Sequence, residues 1–82
     1  YDDIQAAKED RAQNLAKAIE ASFDSGLYGS VALFAHSQGA DIVDRACFHL
    51  ATSHGPEILR KIRIISLGGM ISVPNIYRVT HN

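Results

Sequence analysis

The chain has 82 residues, 46% hydrophobic and 21% charged, with a formal net charge of -1. This is a globular composition, not a disordered one, and the absence of a basic stripe gives nucleic-acid binding no electrostatic support. The single cysteine, Cys47, excludes an intrachain disulfide framework, and no apolar run approaches the roughly 18 residues that span a bilayer.

No signal peptide is visible, but the chain opens on Tyr1 and not on Met, so a preceding segment stays open and no compartment follows. Tyr1 to Ser25 reads as an amphipathic helix. Its apolar residues Ile4, Ala7, Ala12, Leu15, Ile19 and Phe23 recur near a period of 3.6. Asp2 or Asp3 suits the helix start, and Lys17 and Glu20 are spaced to pair on the wet face. Gly26 suits a left-handed C-terminal stop, and Leu27-Tyr28-Gly29 is a connector.

Val31 to Ala35 carries no polar side chain. A continuous apolar run bounded by glycines predicts a strand buried on both faces, as in a parallel sheet covered by helices. A helix follows Gly39 and runs to about Ser53, with Ile42, Val43, Ala46, Cys47 and Leu50 as its apolar stripe. Cys47 in that stripe reads as a small buried thiol. His54-Gly55-Pro56 stops the helix, and Pro56 to Lys61 suits one short helical turn. Ile62 to Leu67 reads as a second strand, closed by Gly68-Gly69. Met70 to Asn75 reads as irregular, and Ile76 to Thr80 as a third strand. This order predicts an α/β fold, parallel strands with flanking helices.

Between the first strand and the second helix lies Ala35-His36-Ser37-Gln38-Gly39. A serine at so sharp a reversal needs small residues two positions away on either side. Ala35 and Gly39 meet that need, with Ala35 standing where the usual pattern has glycine. A plain N-cap serine would require neither.

The strand, turn and helix from Val31 to Leu50 resemble the core of an α/β-hydrolase. Ser-Gln-Gly-Ala at Ser37 to Ala40 is similar to the nucleophile elbow of cutinases and several lipases. Tyr77-Arg78-Val79-Thr80-His81-Asn82 is similar to the segment that runs into the catalytic aspartate of class 3-type lipases. Gly68-Gly69-Met70 departs from the Gly-Ser-Pro usual after the preceding strand in that family. The resemblance covers roughly Tyr28 to Asn82. It implies a partial α/β-hydrolase core, with residues 1–82 a central fragment of a single domain, and a serine esterase or lipase acting on ester or lipid-like small molecules. No cofactor or metal is expected.

A serine hydroxyl needs a base to take its proton and a third group to orient that base. Ser37 is the expected nucleophile. The backbone N–H of Gln38, at the start of a helix, is the expected oxyanion donor; loss of one such donor costs about two to three orders of magnitude in rate. Ala35, His36 and Gly39 are expected to shape the elbow. The resemblance puts the acid just beyond Asn82 and the histidine later still.

Other candidates fit poorly. His36 adjoins Ser37, and neighbours at a sharp turn point apart. His49 lies roughly 18 Å along the helix from Ser37, at 1.5 Å per residue, and His54 lies further. His81 stands where the acid loop begins. Asp41 and Asp44 suit the positive end of the elbow helix better than a catalytic role. Two further functions use the same scaffold: a non-catalytic binding module, and an acyltransferase or thioesterase with a different acceptor. A set of strands with only two good helices also predicts that the remainder of the hydrolase domain is needed for stability.

Overall fold

A computed structural model of the chain describes residues 2–27, 29–36, 39–75, 77 and 79. Helix α1 spans Asp2–Asp24, strand β1 Val31–Phe34, helix α2 Gly39–His54, a short 3-10 turn Pro56–Lys61, strand β2 Ile62–Ile65 and strand β3 Ile71–Ser72. The result is an α/β arrangement: helices with one small mixed sheet in the order β1-β2-β3. β1 and β2 run parallel, and β2 and β3 antiparallel.

The core lies between the helices and one face of the sheet. Ala12, Ala16 and Ile19 of α1 meet Val43, Ala46, Cys47, Leu50 and Ala51 of α2, joined by Leu59, Ile62 and Val79. Alanines on both helices let the backbones approach closely, and larger side chains fill the space beside them. The stripe read for α2 is the buried one, Ile42 less completely. On α1 the period holds from Ala12 onward, but Ile4 is 58% exposed and Ala7 is also outside. Glu20 turns across to His54 at 2.9 Å, a partner that sequence spacing along α1 does not offer.

Gly26 takes φ +73° at the end of α1, as its position predicts. Gly55 closes α2, its N–H donating to the Ala51 carbonyl at 2.9 Å. Pro56 then opens the 3-10 turn that drives Leu59 into the core.

The sheet corrects three expectations. First, β1 is not buried on both faces. Leu33 and Ile64 pack against the core, whereas Phe34 is 82% exposed and Ala32 also faces out. With a side-chain period of two, Ala32, Phe34, Arg63 and Ile65 share the face away from the core. Second, the sheet is mixed. The Ser66 N–H donates to the Met70 carbonyl at 2.9 Å and Gly69 N–H to the Ser66 carbonyl at 3.0 Å. Gly68 and Gly69 adopt φ +95° and +84°, conformations that glycine enters without steric cost. The chain therefore reverses at Leu67 to Gly69, and a strand forms at Ile71–Ser72 where an irregular segment was expected. β2 accordingly ends at Ile65 and not at Leu67.

Third, the strand expected over Ile76 to Thr80 is helical at Tyr77 and Val79. Val79 N–H donates to the Asn75 carbonyl four residues back, at 2.9 Å. In a strand, Tyr77 and Val79 would share a face. Here Tyr77 is 71% exposed and Val79 only 2%, so burial of Val79 in the core selects helix over β-branched propensity.

Candidate active site

Ser37 and Gln38 lie outside the described residues, as do Tyr1, His81 and Asn82. Their neighbours define the surroundings. β1 ends at Phe34, yet the Ala35 N–H still donates to the Ile65 carbonyl at 3.0 Å, so Ala35 continues the ladder. Gly39 is already in α2. Only His36, Ser37 and Gln38 separate the sheet from the helix. Two parallel strands end at this edge, and the carboxyl ends of parallel strands are the usual place for ligands in α/β sheets.

Ala35 is half-buried and packs against the core. It lines one cleft with Ala40, Val43, Asp44 and Ile64, and a second groove with Phe34, His36, Ile65 and Leu67. A methyl fits between them, which gives a packing reason for a small residue at this position. His36 is exposed and borders the second groove.

No protein-family model, curated protein or solved structure matches this chain.

Asp41 stands in the first turn of α2 and is engaged in ion pairs. Lys8 Nζ of α1 approaches it at 3.3 Å and Arg45 Nε at 3.3 Å. Burial pushes the Asp41 carboxyl up, but hydrogen bonds from Lys8 and Arg45 outweigh it and hold the group below the ordinary aspartate value. Asp44 borders both the Ala35 cleft and a polar cleft beside Arg45 and His49. His49 is bonded to Glu9 of α1. That hydrogen bond, above all, holds the Glu9 carboxyl below its ordinary value; burial opposes it, and the charges of His49 and Arg45 and a bond from Gln13 assist.

Arg45 ties this seam together, with Nη1 at 3.4 Å from Glu9, Nε on Asp41 and Nη2 on Gln5. The sequence reading treated Asp41 and His49 singly and missed the network. The signal was present: Asp41, Arg45 and His49 recur at intervals of four on α2, and Gln5, Lys8 and Glu9 share one face of α1. Among the described residues no group of three or more His, Cys, Asp or Glu is placed to hold a metal. Nor, among them, is any helix long and apolar enough to cross a membrane.

Proposed function

We propose that this chain carries the nucleophile segment of a serine hydrolase of the α/β-hydrolase type, acting on carboxylic esters. The observation that carries the reading is the passage from ladder to helix. Ala35 is still bonded to β2, Gly39 is already helical, and Ser37 is one of the three residues between them.

In this reading Ser37 Oγ attacks the ester carbonyl carbon while a histidine from beyond Asn82 takes its proton. The carbonyl oxygen becomes an oxyanion, and the Gln38 N–H at the start of α2 donates to it with the helix dipole behind it. Collapse expels the alcohol, which receives the proton from the histidine, and leaves an acyl group on Ser37. Water, activated by the same histidine, then attacks the acyl carbon and frees the acid. An aspartate after Asn82 orients the histidine.

The test is a fluorophosphonate probe on the protein extended beyond Asn82. Labelling at Ser37, abolished in Ser37→Ala along with ester turnover, is the expected result. Absence of labelling beside a reactive control hydrolase would overturn the proposal and favour a non-catalytic binding module. An alcohol or thiol acceptor competing with water would distinguish a transferase.

A further inference from the structure

The first turn of α2 carries Asp41, and each of its carboxylate oxygens meets a cation. Lys8 Nζ, from α1, stands 3.3 Å from Oδ2, and Arg45 Nε stands 3.3 Å from Oδ1. Both cations are half-buried. Arg45 divides its guanidinium among Asp41, Glu9 and Gln5, whereas Lys8 faces Asp41.

A helix does not need this arrangement at its start. An acid in the first turn stabilises the positive end of the helix dipole by itself, and cations placed on that acid cancel the benefit. What the cations restore is positive potential at the N-terminal end of α2. One helical turn spans about 5.4 Å of axis, so the Asp41 carboxylate lies within about 10 Å of any charge gathering at that end. Left bare, it would repel a second negative charge at that range. Asp44 follows on α2 but lies further from that end. With Ser37 as nucleophile, such a charge forms on the former carbonyl oxygen during both acylation and deacylation.

We propose that Lys8 and Arg45 are positioning residues of the hydrolase: by neutralising Asp41 they keep the N-terminal end of α2 positive and available to the oxyanion. The inference rests on the reading of Ser37 given above and deepens it. It assigns a part in the reaction to α1, a helix that reaches the serine's surroundings through Lys8 on Asp41.

The test measures the rate of fluorophosphonate labelling at Ser37, with kcat and KM for an uncharged ester, on the protein extended beyond Asn82. Lys8→Met should slow labelling and lower kcat by about 3- to 10-fold, the scale of one partly screened charge. KM should stay within about twofold, because the lost interaction belongs to the transition state. Adding Asp41→Asn to Lys8→Met should restore the rate, and Lys8→Arg should keep it. A mere tether between α1 and α2 predicts the reverse: Asp41→Asn breaks the same link and rescues nothing. Where Lys8→Met fails to fold by circular dichroism, Asp41→Asn alone decides, labelling at least as fast as wild type under charge compensation and more slowly under tethering. A labelled Ser37 whose rate ignores Lys8→Met, or a double variant as slow as Lys8→Met, would overturn the inference and leave the hydrolase reading standing. An unlabelled wild type would overturn both.

Discussion

Phe34 and Ile65 stand directly opposite one another in the β1–β2 ladder, on the sheet face turned away from the core. Ile71 pairs with Ile65 on the other side, so the three make an apolar row across the sheet. Phe34 and Ile71 are 82% and 66% exposed. Rows of this kind associate. The 82-residue chain should therefore self-associate with rising concentration in sedimentation velocity. Phe34→Ser with Ile71→Thr should reduce that while changing stability by less than about 0.5 kcal/mol. A variant that associates as strongly as the wild type would contradict this.

Leu50 has no exposed surface and lies where α2 meets α1 and the 3-10 turn. Leu50→Ala should cost about 2–5 kcal/mol, as buried leucine truncations do. Thr52→Ala, two residues along on the exposed side, is the control and should cost about 0.5 kcal/mol or less. Chemical denaturation at one pH measures both.

Glu9 and Asp41 both have folded-state carboxyls below their ordinary values. A depressed carboxyl contributes stability above its unfolded value and loses it as pH falls through the folded one. Stability should thus decline from about pH 5 toward pH 3. Glu9→Gln and Asp41→Asn should each flatten the decline, by about 0.2–1 kcal/mol because the pairs are partly exposed. Urea midpoints at pH 5 and pH 3 supply the measurement. An identical slope in both variants would show that these pairs do not contribute.

Ala35 links the core to the turn. Ala35→Leu should destabilise by about 1–3 kcal/mol through overpacking, and should also abolish fluorophosphonate labelling at Ser37. Ala35→Gly should keep labelling, since glycine is the usual residue of such elbows. Leucine tolerated with full labelling would argue against a strained elbow here.

How far the sequence carried depended on the range of the interactions that decide each element. α1, α2 and the turn at Pro56 were readable because period, proline and glycine act locally. The parallel pairing of β1 with β2 followed from two apolar runs separated by a helix. Val79 was misread because Ile76-Tyr77-Arg78-Val79-Thr80 has β propensity, and only contact with a distant core reveals that Val79 goes in while Tyr77 stays out. β1 was misread because an apolar run does not state whether a second layer covers it. At the candidate site, the small residues around Ser37 stood out in the sequence. The charged seam did not, because each pair in it joins residues more than thirty positions apart, Asp41–Arg45 excepted.

The two-residue length of β3 makes the sheet directional. Ile71–Ser72 offers a newcomer scarcely one ladder rung, whereas Val31–Phe34 forms the opposite margin with a full strand's length of backbone. Any strand that extends the sheet therefore gains most by joining beside β1. β1 also leads in sequence to Ser37, so on the proposed hydrolase reading a segment joining there would serve both sheet completion and substrate selection.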